Sequence, residues 1–314
     1  MRSGLSLITL ATCNLLNYLA PPGAFYDFSN ILTLEEWQKK QTWLKQKLLE
    51  INADVLAFQE VFSPDELQQL CQTLGYNHFA VIDKPDVSDE FIYTSPVLAL
   101  ASRYPLLSVD PVVPESQQLT QLGANVEFTF SRTPLHAVVD LPHLGSCHFI
   151  VVHFKSQRPT LLQNGSEDAQ MRVAGSWLST IQRGWEALLL RQYLVEIYLN
   201  SAQPMVVLGD FNKHLNSIEL RPLLDTSQTP LMQDIRQLVS SADTQTWPPT
   251  HYHGELGLTI DYILLSEEFF PSNAEKIANV SQVSVWDQHL VSPNFADDQF
   301  ASDHAFVSVT LSLL

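Results

Sequence analysis

The chain has 314 residues, with 17 Lys and Arg against 34 Asp and Glu, and a formal net charge of −17. Hydrophobic residues make up 45% of it; that is enough for a sizeable core and excludes a disordered chain, while no apolar run reaches the roughly 18 residues of a membrane span. The acidic balance excludes a protein that grips nucleic acid through a general basic coat, because phosphate repels net negative charge. It leaves room for an enzyme that meets phosphate through a bound cation and a few local basic residues.

The charge is uneven. Residues 151–200 hold Lys155, Arg158, Arg172, Arg183 and Arg191 against Glu167, Asp168, Glu186 and Glu196, a balance of +1, so the remainder carries −18. Cys13, Cys71 and Cys147 form no CxxC and cannot all pair, so buried thiols are expected rather than a disulfide scaffold or zinc ribbon. Arg2 precedes a mildly apolar run, but Thr9, Thr12, Asn14 and Asn17 interrupt it. That reads as a first strand over Leu5–Cys13 rather than a signal peptide, and a cytoplasmic location is expected.

Thr33-Leu34-Glu35-Glu36 then forms a capping box, followed by Leu34, Trp37, Leu44, Leu48 and Ile51 at the spacing of one helical face. Trp37 and Trp43 are read as packing residues of that helix. Asp54 enters a short buried strand, Val55–Phe58, that delivers Gln59-Glu60. Ser63-Pro64-Asp65-Glu66 opens a second helix with proline at its first position, closed near Gly75. Val97–Ala101, Leu135–Asp140, Phe149–His153 and Met205–Gly209 are apolar runs of strand length, with a long helix from Gln170 to Asn200 between the last two. Leu258–Leu265 and Ala305–Leu311 complete the series. No linker, repeat or low-complexity tract divides the chain, so residues 1–314 read as one domain of packed sheets with helices outside.

Several of these runs end in polar residues suited to metal or phosphate: Asn14; Gln59-Glu60; His153 with Lys155; Asp210-Phe211-Asn212. Ile260-Asp261-Tyr262 lies within a strand, and Ser302-Asp303-His304 precedes the last one. Each alone is more simply a cap or solvated strand end. Six together point to a site, since sites are built from loops at strand ends. By the same standard His78, His136, His143, His148, His214, His251, His253 and His289 are read as structural.

The ordered set of Asn14, Gln59-Glu60-Val61, Ser102-Arg103-Tyr104-Pro105, His153, Gly209-Asp210-Phe211-Asn212, Ile260-Asp261-Tyr262-Ile263-Leu264 and Ser302-Asp303-His304 resembles the endonuclease/exonuclease/phosphatase superfamily, typified by pancreatic deoxyribonuclease. The resemblance implies a four-layer α/β sandwich: two mixed β-sheets face to face, helices outside, active site at one end. It implies Mg²⁺, or Mn²⁺ in its place, held by Glu60, Asn14 and Asp303. Asp210 would orient or deprotonate the attacking water, Asn212 would bind a phosphate oxygen, and Asp261 would fix His304. Which of Asp210 and His304 is the base stays open. His153 would protonate the leaving group or bind phosphate.

Arg132, in Phe130-Ser131-Arg132-Thr133-Pro134, matches a family position where basic residues are common. Arg103 is read either as a phosphate contact or as a turn anchor before Pro105. Phe62 stands two residues after Glu60, where apurinic endonucleases typically carry lysine, which argues against that branch. His153-Phe154-Lys155-Ser156-Gln157-Arg158 looks like the His-x-Lys-Ser segment of bacterial nuclease-like members, with Lys155 and Arg158 beside the phosphate and Pro159–Asp168, containing Asn164-Gly165-Ser166, as a flap. The expected substrate is DNA or RNA, short or single-stranded because of the acidity. The alternatives are a small or lipid phosphoester (sphingomyelinase-like or inositol phosphate), for which Phe91–Tyr93 and Val109–Val113 are candidate membrane contacts, and a non-catalytic binding protein. The last would have lost Glu60, Asp210, Asp261 or His304. Neither stable membrane insertion nor an obligate protein partner is expected.

Overall fold

Near-continuous apolar strands need cover on both faces, and the chain supplies it by stacking two six-stranded sheets between helices. The computed structural model describes residues 6–125, 127–160, 169–239 and 246–314; the expected flap tip Asn164-Gly165-Ser166 lies outside them. The strands of the two sheets are β1 (Leu7–Tyr18), β2 (Val55–Val61), β3 (His78–Val81), β4 (Val97–Ser102), β5 (Leu106–Pro111), β6 (Leu135–Leu141), β7 (Gly145–His153), β8 (Met205–Asp210), β9 (Met232–Asp234), β10 (Asp261–Ser266), β11 (Ala278–Trp286) and β12 (Phe306–Leu313). The first sheet is ordered β11-β12-β1-β2-β4-β3 and the second β9-β10-β8-β7-β6-β5. Each has one parallel central pair, β1 with β2 and β7 with β8, among antiparallel neighbours. This is the four-layer sandwich of two mixed sheets expected from the sequence.

Strand alternation assigns each side chain to a layer. Ile8, Leu10, Val55 and Ala57 face Phe149, Val151, Val206 and Ile263 between the sheets, all fully buried. On the other face of the first sheet, Ala11, Cys13, Leu56 and Phe58 meet Trp43, Leu44 and Leu48 of α1 (Leu34–Ile51) and Leu67 and Cys71 of α2 (Pro64–Thr73). Ile150, Val152, Val207 and Leu264 meet Ala187, Leu190 and Leu194 of α3 (Ala169–Asn200). The α1 capping box forms, with Thr33 Oγ1 accepting from Glu36 N at 3.2 Å and Glu36 Oε2 accepting from Thr33 N at 2.7 Å. The three cysteines are free and buried. No helix among the described residues is long and apolar enough to cross a membrane.

Two strands depart from the expectation in ways that matter for the site. The first continues past Cys13 to Tyr18 through a bulge. The run Leu258–Leu265 is divided: Leu256–Leu258 pairs with His251–His253 in a hairpin, and β10 begins only at Asp261. Thr250 enforces the break, because its Oγ1 accepts from both Ile260 N and Asp261 N, at 3.0 and 3.1 Å.

Candidate active site

The first sheet loses regular geometry at the end where the cleft opens. In β1 the register shifts after Asn14, and Leu16 and Asn17 take left-handed backbone, each with φ of 49°. In β2 the shift falls between Phe58 and Val61, with Glu60 at φ 61°. Non-glycine residues there carry strain on the order of 1–3 kcal/mol, sustained only by surrounding structure. Here the support is mutual: Asn17 N donates to Glu60 Oε2 at 3.0 Å and Leu16 N donates to Asn14 Oδ1 at 3.1 Å. The bulges re-aim Glu60 and Asn17 into a cleft of about 860 Å³ instead of along the sheet.

The second sheet brings Asp210 to the same place. Gly209 lies against β7, opposite Val152, and a Cβ on it would sit 1.9 Å from the Val152 carbonyl oxygen; its φ of +149° also excludes ordinary side chains. Only glycine lets β8 run this close, so Asp210 arrives beside His153, with Nε2 to Oδ2 at 3.4 Å. Asn212, at φ 54°, donates its backbone N–H to Asp210 Oδ1 at 2.7 Å and its Nδ2 to the Phe154 carbonyl at 2.9 Å. Asn14 closes the gap between sheets, its Nδ2 donating to Asp210 Oδ2 at 3.1 Å and to Glu60 Oε1 at 3.4 Å.

The last segment completes the cluster. Ser302 Oγ donates to the Asn14 carbonyl at 2.7 Å and accepts from His304 N at 3.0 Å, fixing the turn before β12. His304 Nδ1 donates to Asp261, at 3.0 and 3.1 Å from its two oxygens, leaving Nε2 at 3.9 Å from Asp210 Oδ2. Arg236 Nη2 donates to the Asp261 carbonyl at 3.0 Å.

Burial sets the charges. It raises the Asp210 carboxyl well above the usual range, opposed by the positive charge of His304 and reinforced by Asp261. Burial works against a charged His304, yet Asp261 and Asp210 outweigh it and hold that imidazole well above its ordinary value. For His153, burial and then the charges of Arg132, His304 and Lys155 act in one direction, and it stays neutral. A neutral imidazole lacks the proton that leaving-group protonation needs, so the phosphate-binding alternative fits His153 better.

The geometry corrects several expectations drawn from the sequence. Asn14 is not placed as a metal ligand: its only oxygen accepts from Leu16 N and its amide nitrogen faces the two carboxylates. Arg103 lies at the far end of the first sheet, where Ser102 pairs with Val55 at the start of β2; it donates to Asn52 Oδ1 at 2.6 Å and stacks on Tyr76, and so is a turn anchor. Lys155 turns its ammonium to the Arg158 carbonyl at 3.2 Å and does not line the cleft. Arg132, Arg158 and Asp303 do line it.

Sequence reasoning also missed residues. Asn17 Oδ1 is buried without a partner among the described residues and lies in the cleft beside Glu60. His251, expected to be structural, packs its ring 4.8 Å from that of His304. Lys40 of α1 is buried, which lowers its ammonium to about 8 against the opposing pull of Glu60 and Asp303. Glu186 of α3 is fully buried and its carboxylate accepts from Ser131 N at 2.7 Å and Lys155 N at 2.6 Å. Arg183, one turn earlier, donates to the Lys155 carbonyl at 2.8 Å and to Glu219 at 3.1 Å.

Carboxylates, carboxamides and a carboxylate-held imidazole around one cleft, with two arginines on its wall, are the equipment of a metal-dependent phosphoesterase. The chain belongs to the Endonuclease/Exonuclease/phosphatase family, whose model matches residues 14–304. Among solved structures, it is similar to the human Nocturnin catalytic domain with bound sulfate, at 22% identity over 98% of this chain and 95% of that one, with a TM-score of 0.64. It is also similar to ANGEL2, a 2′,3′-cyclic phosphatase, at 14% identity over 98% and 95% with a TM-score of 0.58. An endonuclease/exonuclease/phosphatase from Bacteroides vulgatus matches at 17% identity over 98% and 100%, with a TM-score of 0.59. No curated protein matches by sequence.

Proposed function

We propose that the enzyme is an Mg²⁺-dependent phosphodiesterase acting on short or single-stranded DNA or RNA. The observation that carries this reading is the convergence of Glu60, Asp210, Asn212 and the Asp261–His304 pair on one cleft whose wall holds Arg132 and Arg158. The donor set fits a hard divalent cation: the Glu60 and Asp303 carboxylates and the unpartnered Asn17 Oδ1 are all oxygen donors on that cleft. Mg²⁺ fits such oxygens, and Mn²⁺ can replace it. Bound there, the cation would polarise a phosphoryl oxygen and offset charge on the leaving oxygen.

The chain's own residues do the rest. Asp210, held by Asn14 and by the Asn212 N–H, orients the attacking water and takes its proton. His304, kept charged by Asp261, donates toward the phosphorane. Asn212 and neutral His153 bind a phosphoryl oxygen, and Arg132 and Arg158 meet the flanking phosphate. Tyr26 and Tyr252 line the same cleft and give bases a stacking surface. The net charge of −17 repels a long duplex, which favours short or single strands.

A second reading, a phosphatase or phospholipid phosphodiesterase, has one observation behind it: Phe28, Ile31, Val87 and Phe91, exposed by 68%, 42%, 47% and 40%, lie in or beside a small three-stranded sheet of Ala24–Phe25, Asp86–Ser88 and Ile92–Ser95, whose first strand leads into Tyr26. Hydrolysis assays with Mg²⁺ on plasmid DNA, single-stranded DNA, RNA, a 2′,3′-cyclic phosphate, sphingomyelin and inositol phosphates separate the two. The expected result is cleavage of single-stranded nucleic acid that is lost in Glu60→Gln. Turnover of a lipid or small phosphoester alone would move the enzyme to the second reading.

A further inference from the structure

We propose that His251, Asp303 and His304 form a second cation site, suited to Zn²⁺ rather than Mg²⁺, and that an ion held there withdraws His304 from hydrolysis. The binding stands on geometry alone; its effect on turnover rests on the phosphoesterase reading above. His251 Nε2 lies 3.6 Å from Asp303 Oδ2, and His304 Nε2 lies 3.9 Å from Asp303 Oδ1. One donor atom from each of the three residues falls within 4.8 Å of the others. These gaps are too long for hydrogen bonds. They approach the roughly 3.3–3.6 Å separating neighbouring ligands of a tetrahedral ion with bonds of about 2.0–2.2 Å.

The three groups are held in place before any ion arrives. His251 and His304 face each other across an antiparallel bridge, and the Ala305 N–H donates to the Thr250 carbonyl at 2.7 Å. Asp261 occupies His304 Nδ1, which leaves Nε2 open between Asp303 Oδ1 and Asp210 Oδ2, 3.9 Å from each, the carboxylate–histidine arrangement that orients metal-binding imidazoles. His251 is the residue with no other assignment: its Nδ1 is buried without a partner among the described residues, and its side chain is only 22% exposed.

Donor chemistry decides which ion. Mg²⁺ prefers oxygen and keeps its waters, whereas two imidazoles and a carboxylate suit Zn²⁺. Only Asp303 is shared with the oxygen donors around Glu60. Binding exchanges the proton that Nε2 carries in the charged imidazole for the ion and releases that proton to solvent. His304 then has no proton to donate and its Nε2 no longer faces the phosphoryl group, so Zn²⁺ becomes an inhibitor of an enzyme that Mg²⁺ supports.

The test titrates the chelator-treated protein with Co²⁺, which gives visible d–d bands when bound in a low-coordinate site, followed by displacement with Zn²⁺ and with Mg²⁺. The expected result is a band removed by Zn²⁺ and not by Mg²⁺, with Co²⁺ affinity at least about tenfold weaker in His251→Ala. His251→Gln, which keeps side-chain volume, should behave likewise. Zn²⁺ should inhibit Mg²⁺-supported hydrolysis in the wild type at about tenfold lower concentration than in His251→Ala, whose uninhibited rate is unchanged. Equal Co²⁺ binding by wild type and both variants, no band in the wild type, or equal Zn²⁺ inhibition would overturn the proposal. Absence of hydrolysis of any substrate would refute the phosphoesterase reading, while the Co²⁺ spectrum still decides the site.

Discussion

Replacing Glu186 with glutamine tests whether α3 holds in place the cleft wall that carries Arg132 and Arg158. Glu186 Oε1 accepts from Ser131 N at 2.7 Å and Gln182 Nε2 at 3.2 Å, and Oε2 accepts from Lys155 N at 2.6 Å. Those two backbone groups immediately precede Arg132 and the Ser156–Arg158 turn. Glutamine keeps the shape but turns one acceptor into a donor. With its oxygen on the Oε1 side, the amide nitrogen meets the Lys155 N–H, so one hydrogen bond to a carboxylate is lost and one partly buried N–H is left unpaired. The first costs about 1.5–3 kcal/mol and the second about 1–3 kcal/mol in full burial, giving roughly 2–5 kcal/mol. A displacement near 1 Å in positioning groups costs about 100-fold in rate, so kcat/KM should fall by roughly 10–100-fold, with KM rising as Arg132 and Arg158 lose their register. Chemical denaturation gives the first quantity, and steady-state kinetics on the best substrate the second. A stability change below about 1 kcal/mol together with unchanged KM would refute the reasoning.

Asp210→Asn and His304→Ala should each lower kcat by about 10²–10⁴-fold with far-ultraviolet circular dichroism unchanged; near-normal turnover in either removes its assigned role. Gly209→Ala places a Cβ 1.9 Å from the Val152 carbonyl oxygen, so β8 must shift by more than ~1 Å, and thermal denaturation should show a loss of 3 kcal/mol or more, on the order of a serious core defect. Chelation should abolish hydrolysis, and Mg²⁺ should restore it and raise the melting temperature by mass action; a melting temperature indifferent to Mg²⁺ argues against the oxygen-donor site. The buried pair of His136 and His148, joined at 2.7 Å, predicts acid sensitivity, because burial and then His148 lower His136 to about 4. Its contribution is complete above pH 6.5, the unfolded value, and disappears as pH falls to 4, a loss of about 3 kcal/mol. Denaturant midpoints across that range should fall steeply in the wild type and more shallowly in a His136→Leu/His148→Leu variant.

The parts of this site that were legible in the sequence are those where a polar residue terminates an apolar run. Asp210, Asn212 and Glu60 satisfy that rule, Asp261 and His304 stand instead at or just before the start of an apolar strand, and strand alternation in Ile8–Cys13 or Val55–Phe58 fixes the layers that bring them together. The edge strands β5 and β11 escaped because they carry few buried residues, none in β5 and only Ala278 and Val280 in β11. Arg103 misled for the opposite reason: it also follows an apolar strand, but β4 runs antiparallel to β2, so its C-terminal end lies away from Glu60.

Direction of strand, not composition of its end, separates Arg103 from Glu60, and direction is a tertiary property. The same holds for Asn14, whose amide could turn oxygen or nitrogen to the cleft until the Leu16 N–H claims the oxygen. Glu186 and Arg183 sit on a helix with hydrophobic neighbours, and nothing local distinguishes them from solvated charges; only the loops that descend onto α3 make them acceptor and donor for backbone groups. His251 belongs to the same class, since it reaches His304 because Thr250 breaks a strand that the apolar pattern would have continued. The residues hardest to read are therefore those whose partners are backbone atoms or bulges from distant segments. They tune where the legible residues stand, so substitution of Glu186 acts through the placement of Arg132 and Arg158, and substitution of His251 acts on Zn²⁺ inhibition and not on the uninhibited reaction.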